Sequence, residues 1–140
     1  MNGEGAWNRR VGWLSMAVGV GTGMVLGMWS FDGPMAVPNW LGAYDSTARR
    51  LVRLGHIAFL GLGILDVLLA RELAGLALSA AAKRLASRAM ILGNVLLPPM
   101  LFAAGAWRFC KYVLPLPVTA VFVSLVLLAW GAWGARDADA

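Results

Sequence analysis

An imidazole, a carboxylate and an amide lie inside predominantly apolar stretches of this sequence. His56 and Asp66 fall in the run from 51 to 70, and Asn94 falls in the run from 89 to 107. Polar and ionisable groups are costly at membrane depth and usually face other helices or a water pathway, which makes them functional candidates by default. We therefore expect His56, Asp66 and Asn94 to form an intramembrane polar site that binds a ligand or carries a proton.

The geometry of a helix limits how these groups combine. His56 and Asp66 are ten residues apart, which places them ~15 Å apart along a straight α-helix and about 80° apart around it. They do not touch within one helix, so we expect Asn94 on the next helix to turn its amide toward one of them. A structural interpretation stays open: a neutral His56 hydrogen-bonded to a neighbouring helix, and an Asp66 that reaches the membrane surface or pairs with Arg71.

A double proline follows Asn94 in the third apolar run. Pro98 lacks the N–H that would bond to the carbonyl of Asn94, and Pro99 lacks the one that would bond to Val95. We predict a kink here, because two carbonyls without helical partners at membrane depth need other partners or a wet or protein-buried site. Two interpretations stay open: a kink alone, and a kink that forms part of a polar site with His56.

Small residues recur every four positions in the first apolar run. They are Ser15, Gly19, Gly23 and Gly27. Residues four apart share one face of a helix, and small residues on such a face let a second backbone come close. The spacing predicts a helix-packing surface, whose partner is either another helix of this chain or a second subunit in a homo-oligomer or larger membrane complex.

The composition is typical of a membrane protein. Of 140 residues, 60% are hydrophobic and 14% are charged, and the mean hydropathy is +0.71. An ordinary soluble domain has about 25% charged residues, and its surface needs polar side chains that are scarce here. We predict a single integral membrane domain over 1–140, an all-α bundle of four transmembrane helices at about 11–31, 51–70, 89–107 and 112–135.

The basic residues predict orientation rather than a nucleic-acid surface. The net charge is +5, but Lys and Arg flank the apolar runs, where they contact lipid head groups. Seven of them fall on the side of the two termini and the second loop, and five fall on the other side. The positive-inside rule then places both termini in the cytoplasm, with the chain in the bacterial inner membrane. We expect the lipid bilayer as its surroundings and no nucleic acid as a partner.

The residues that enzymes and metal sites need are sparse. The sequence has no phosphate-binding Gly-Lys loop and no His-x-x-x-His motif, and one Cys and one His exclude a zinc site built from the Cys and His of a single chain. We therefore predict no enzymatic activity, no metal and no resident cofactor. Haem is the alternative left open, with His56 as one axial ligand and a methionine as the other. The methionines concerned are Met16, Met24, Met28, Met90 and Met100.

One part of the chain resembles a known group of proteins. The residues that carry the resemblance are Phe31-Asp32-Gly33-Pro34, Tyr44, Arg49 to Phe59 and Leu62 to Leu65. They are similar to small, uncharacterised four-helix bacterial membrane proteins, and the resemblance covers only the first loop and the second run. It implies no activity.

Two functional expectations follow from the sequence as a whole. The first is a non-enzymatic accessory or structural subunit that acts through helix–helix contacts, because the small-residue stripe is present and catalytic groups are lacking. The alternative is a small binding or transport module for haem, quinone, a proton or a small solute, with its site at His56, Asp66 and Asn94.

Overall fold

The computed structural model describes residues 3–30 and 32–136. Four α-helices account for most of them: α1 (Gly3–Met28), α2 (Thr47–Glu72), α3 (Ala80–Ala106) and α4 (Pro115–Arg136). Two short 3₁₀ turns, Asn39–Leu41 and Arg108–Tyr112, lie in the first and third connections. The described part of the chain contains no strand, and the predicted all-α class with four helices is confirmed.

Each of the four helical segments is long and apolar enough to cross a membrane. They are Gly5–Met28, Thr47–Glu72, Ala80–Ala106 and Arg108–Gly134, with hydropathies between 1.5 and 2.3. This is the architecture of a multi-pass membrane protein.

Two helices begin about two turns before the apolar runs predicted from the sequence. α1 begins at Gly3 and α3 at Ala80, whereas the predicted runs begin at 11 and 89. Arg9 and Lys83 lie inside these early turns, because a long cationic side chain reaches water without interrupting the backbone hydrogen bonds of its helix. The apolar run therefore indicates which residues lie within the bilayer, whereas the helix itself begins about two turns earlier.

The helices pack in chain order, and the first three form a group. α1 lies against α2, α2 against α3 and α3 against α4, and α1 also contacts α3. An apolar cluster of Leu69, Leu73 and Met90 lies toward the end of the bundle where α2 ends, with Leu65, Leu76, Val121 and Leu128 packed around it. The junction of α1, α2 and α3 is the part of the fold that positions the polar residues.

Glycines bring α1 and α2 into backbone contact along an antiparallel seam. A Cβ added at Gly5 would lie 2.9 Å from the carbonyl oxygen of Ala70, and one added at Gly12 would lie 2.6 Å from that of Gly63. Farther along, a Cβ at Gly19 would lie 2.9 Å from a leucine side chain of α2. The three glycines are seven residues apart, which is the repeat that keeps one face of an α-helix on its partner.

The small-residue stripe predicted on α1 meets α2 of the same chain over most of its length. Ser15 donates a hydrogen bond to the backbone of α2, and Gly19 and Gly23 lie against its side chains. Gly27 does not take part, since a Cβ there would meet nothing within 4 Å. Because α2 covers the stripe, the stripe is not evidence for a second subunit.

The double proline lies within α3 rather than at its end. α3 passes through Pro98 and Pro99 as one helix, and Pro98 is fully buried. The carbonyl oxygen of Pro98 faces Gly55 of α2, where an added Cβ would lie 3.0 Å away. The prolines therefore belong to the contact between α2 and α3.

Two arginines and a helix cap hold the first connection onto the bundle. Arg49 donates from Nη2 to the carbonyl oxygen of Trp29 at 3.0 Å. Arg53 donates to the carbonyl oxygen of Tyr44 at 3.0 Å, and its guanidinium lies 4.5 Å from the centre of that ring. Ser46 caps α2, because its hydroxyl accepts the backbone N–H of Arg49 at 3.2 Å.

Replacing Gly12 by Ala should loosen the contact between α1 and α2. The added Cβ would lie within 3 Å of the Gly63 carbonyl and of the Val67 side chain, and overpacking of this kind costs about 1–3 kcal/mol. Gly21→Ala is the matched control, because a Cβ at Gly21 meets nothing within 4 Å. Thermal unfolding in detergent, followed by circular dichroism, should show a lower midpoint for Gly12→Ala only. Equal midpoints for the two variants would contradict the seam.

Candidate functional site

Asp66 lies fully buried where α1, α2 and α3 meet. The side-chain amide of Asn8 on α1 donates to its Oδ1 at 2.6 Å, and the amide of Asn94 on α3 donates to its Oδ2 at 2.6 Å. Both asparagines have at most 1% of their surface exposed. The carboxylate therefore lies between two neutral amides, one from each neighbouring helix.

Two serines extend these contacts. Ser87 Oγ donates to Oδ1 of Asn8, and the second N–H of the Asn8 amide donates to the backbone carbonyl of Ser87 at 3.2 Å. Ser15 Oγ lies 2.7 Å from Oδ1 of Asn94 and 2.8 Å from the carbonyl oxygen of Phe59, and its single hydrogen serves one of these acceptors or is shared. Five buried side chains are thus joined, and we call them the Asp66 network: Asn8, Ser15, Asp66, Ser87 and Asn94.

A seven-residue spacing brings these side chains to one junction. Asn8 and Ser15 are seven residues apart on α1, and Ser87 and Asn94 are seven apart on α3. Positions seven apart lie about two turns apart on nearly the same face of a helix. Each of the two helices therefore presents a pair of polar side chains to the junction, and Asp66 on α2 meets one side chain from each pair.

Sequence reasoning misses Asn8 and Ser87. Both precede the predicted apolar runs and lie near arginines, where polar residues are ordinary. The signal that finds them is the seven-residue repeat, followed backwards from Ser15 to Asn8 and from Asn94 to Ser87. The repeat matters because it identifies the face of the helix, whereas apolarity identifies only its depth in the membrane.

Asp66 points into the bundle and not toward the membrane surface. Its side chain has no exposed surface, while Arg71, the partner considered from the sequence, is exposed at the end of α2. The alternative in which Asp66 reaches the surface or pairs with Arg71 is therefore wrong. A buried carboxylate depends on its donors staying in place, because an unmade hydrogen bond to a charged group costs more than one to a neutral group.

His56 forms a separate contact between α1 and α2. Its Nδ1 lies 2.8 Å from the carbonyl oxygen of Gly19. Because a carbonyl only accepts, Nδ1 is the donor in this hydrogen bond. The Thr22 hydroxyl donates to the same carbonyl at 2.9 Å. A Cβ at Gly23 would lie 2.6 Å from Cε1 of the imidazole, so Gly23 provides the space that the ring occupies.

The structure brings two of the three sequence candidates together. Asp66 and Asn94 share a hydrogen bond, while His56 bonds to α1. His56 has the hydrogen bond to a neighbouring helix that the structural interpretation described. The reason is geometric. The separation of ten residues on α2 places His56 on a different face of the helix from Asp66 and farther along the helix axis.

The described residues do not assemble a metal site from acidic and sulfur or nitrogen ligands. Among residues 3–30 and 32–136, no group of three or more His, Cys, Asp and Glu side chains lies close enough to hold an ion. The prediction of no resident cofactor stays a prediction, with haem bound by His56 and a methionine as its alternative.

Asp66→Asn should destabilise the bundle. An amide at this position offers one oxygen and one NH₂ group to two amide donors, so one buried hydrogen bond is lost and a donor is left unsatisfied. Such a loss costs about 1–3 kcal/mol. The thermal midpoint measured in detergent should fall accordingly.

Adding Asn94→Asp to Asp66→Asn should restore most of that stability. The exchanged pair keeps the hydrogen-bond pattern, because Asn8 donates to the new amide oxygen at 66 and the new amide donates to the carboxylate at 94. Ser15 then donates to the other oxygen of that carboxylate. A double variant no more stable than Asp66→Asn would show that the pattern of hydrogen bonds is not what stabilises the junction.

Gly23→Ala should lower the thermal stability of the bundle only when His56 is present. The added Cβ would lie 2.6 Å from Cε1 of the imidazole, and in a His56→Ala background that atom is gone. A double-mutant cycle on thermal stability should give a coupling of about 0.5–3 kcal/mol between the two positions. Additive effects would mean that the ring does not pack against Gly23.

Comparisons of the chain with protein-family models, with curated proteins and with solved structures gave no match. The resemblance to small four-helix bacterial membrane proteins stays a prediction. The function is therefore argued from the Asp66 network.

Proposed function

We propose that this chain is a small, non-enzymatic membrane module that binds and releases a proton at Asp66. The observation that carries the proposal is a fully buried carboxylate held between two amides, at the junction of three helices that are each long enough to span a membrane. An ionisable group in that position is costly to keep, which favours a functional role over an incidental one.

The packing of the network favours a proton over larger ligands. Its five members are at most 6% exposed, and both oxygens of Asp66 already face amide groups. A haem, a quinone or a solute needs a cavity lined by the groups that recognise it. A groove at the end of the bundle where α1 begins is lined by other residues. A proton needs no cavity, because a carboxylate oxygen has a second lone pair to receive it.

Protonation of Asp66 would change a contact on a neighbouring helix. A carboxylic acid has one O–H, which donates, and the amide that faces it has an oxygen that can accept this hydrogen. That oxygen reaches the O–H when the amide rotates. Rotation of Asn8 breaks the bond from Ser87, and rotation of Asn94 breaks the bond from Ser15. One proton is thereby coupled to the hydrogen bonds that join α1 to α3.

This groove lies beside the residues that surround the carboxylate. Gly5 and Arg9 line the groove on either side of Asn8 in the chain, and Val67 lines it next to Asp66. A local opening between α1 and α2 at this end would connect Asp66 to water. Local openings of this kind are ordinary fluctuations near the ends of helices.

We also infer the setting of this module from its charges. The distribution of Lys and Arg favours both termini in the cytoplasm and a place in the bacterial inner membrane. The four-helix order puts Arg9, Arg71 and Lys83 at one end of the bundle, which is the cytoplasmic end in this orientation.

Infrared spectroscopy of the full chain in detergent, recorded across a pH series, tests the proton proposal. Asp66→Asn removes the titrating group. Ser87→Ala is the matched control, because it removes one hydrogen bond of the network and keeps the carboxylate. We expect a component of the carboxylic-acid C=O band that grows as the pH falls, is absent in Asp66→Asn and is present in Ser87→Ala.

A fold check accompanies that experiment. The Asp66→Asn/Asn94→Asp double variant should keep a buried carboxylic-acid component, at a shifted position, because the carboxylate has moved to α3. Identical pH series for the wild type and Asp66→Asn would refute the proposal, provided that both proteins are helical by circular dichroism.

An accessory or structural role is the second candidate. It is favoured by three outward-facing glycines, Gly21 and Gly27 on α1 and Gly61 on α2, where a Cβ would meet nothing within 4 Å. Small residues on an outer face let a foreign helix approach closely in lipid. A wild-type chain that is monomeric in detergent, with no co-purifying chain, would remove this candidate.

A further inference from the structure

A groove of about 480 Å³ lies at the end of the bundle where α1 begins, α2 ends and α3 begins. Each of these helices supplies one cation to it: Arg9 from α1, Arg71 from α2 and Lys83 from α3. Trp13 and Val67 contribute to an apolar wall beside them. No carboxylate is among the described residues that line the groove.

We propose that this groove binds the phosphate head group of an anionic phospholipid. Guanidinium and ammonium groups are the side chains that pair with phosphate oxygens, and such charge-assisted hydrogen bonds are stronger than neutral ones. Three cations from three helices attract the negative charge of the head group. The apolar wall can contact the glycerol and the first part of an acyl chain. This proposal does not rest on proton binding at Asp66.

Lys83 is already positioned for this contact. Its Nζ donates to the carbonyl oxygen of Ala74 at 2.9 Å, and Ala74 also lines the groove. An ammonium has three N–H donors, so the bond to Ala74 leaves two for a phosphate. The ammonium is thus fixed at the wall of the groove while it keeps its full charge.

The position of the groove relative to the membrane favours a phospholipid over free phosphate. Trp13 lines the groove with 60% of its surface exposed, and Trp7 and Trp130 are exposed at 61% and 73%. Trp7 lies at the start of α1 and Trp130 near the end of α4, which places both at the same end of the bundle. Exposed Trp side chains prefer the level of the lipid head groups. The groove therefore lies where phospholipid phosphates are concentrated.

Native mass spectrometry of the full chain in detergent, with phosphatidylglycerol or phosphatidylcholine added, tests the proposal. We expect one phosphatidylglycerol to be retained and phosphatidylcholine not to be retained. The Arg9→Gln/Arg71→Gln pair should bind phosphatidylglycerol more weakly by on the order of 20- to 30-fold, from the attraction of two cations to anionic lipid. Lys83→Gln should weaken binding by a smaller factor.

The matched control is the Arg10→Gln/Arg88→Gln pair. It removes the same charge from the same end of the bundle, at two exposed residues that do not line the groove. It should keep affinity within a few-fold of the wild type. Equal losses in the two pairs would overturn the proposal in favour of diffuse surface charge, and so would equal retention of the two lipids. Displacement of phosphatidylglycerol by inorganic phosphate at the same concentration would overturn the choice of a lipid.

A measurement on the wild type covers the case in which the Arg9→Gln/Arg71→Gln pair does not fold. Retention of phosphatidylglycerol should fall as sodium chloride is raised, because exposed charge pairs are screened by salt. Retention that does not change with salt would count against a head-group contact.

Discussion

A carboxylate at membrane depth has no water to supply its hydrogen bonds, so the helices around it must supply them. In this protein the donors of Asp66 come from two different helices, Asn8 on α1 and Asn94 on α3. Both amides must lie at the height of Asp66 and face it, which fixes the rotation and the axial position of α1 and α3 relative to α2. Lipid offers no hydrophobic force that would set these positions instead.

The glycines of α1 contribute to the same arrangement, because they let α1 approach α2 closely. Hydrogen bonds of 2.6 Å between side chains as short as Asn and Asp require helix axes that approach closely. Gly5 and Gly12 lie three residues before and four residues after Asn8, on its face of the helix, and both meet the backbone of α2. A larger residue at either position would move Asn8 away from Asp66. The packing seam and the polar network therefore depend on each other. α4 packs mainly against α3, where Ser124 donates to the carbonyl oxygen of Ala86 at 2.8 Å.

The same physical constraints determine which features can be predicted from the sequence. The four helices are visible because a span needs about 20 apolar residues, and Asp66 and Asn94 are visible because polar residues are anomalous within such a span. Asn8 and Ser87 are not anomalous, since they lie outside the apolar runs. Their partners depend on the register of α1 and α3 against α2, which helix propensity and apolarity do not determine.

Gly27 shows where a simple spacing rule fails. Residues four apart advance about 40° around a helix at each step, so the stripe that begins at Ser15 has turned by about 120° when it reaches Gly27. A repeat of seven drifts back by only about 20°, and this explains why Gly5, Gly12 and Gly19 stay on α2 whereas Gly27 does not. In this antiparallel pair, the residues of α1 that contact α2 recur every seven positions. A stripe of small residues spaced by four stays on that face for only two or three turns.

The groove and the carboxylate share the first turns of α1, so their two proposed ligands act on the same contact. Asn8 and Arg9 are neighbours in the chain and lie about 100° apart around the helix, one facing Asp66 and the other lining the groove. A head group held by Arg9, Arg71 and Lys83 bridges the same three helices that the Asp66 network joins. Proton exchange needs α1 and α2 to separate at this end, and a ligand that bridges them binds the closed form better than the open one. Given both proposals, bound lipid must slow proton exchange, because a ligand that binds the closed form better lowers the population of the open form.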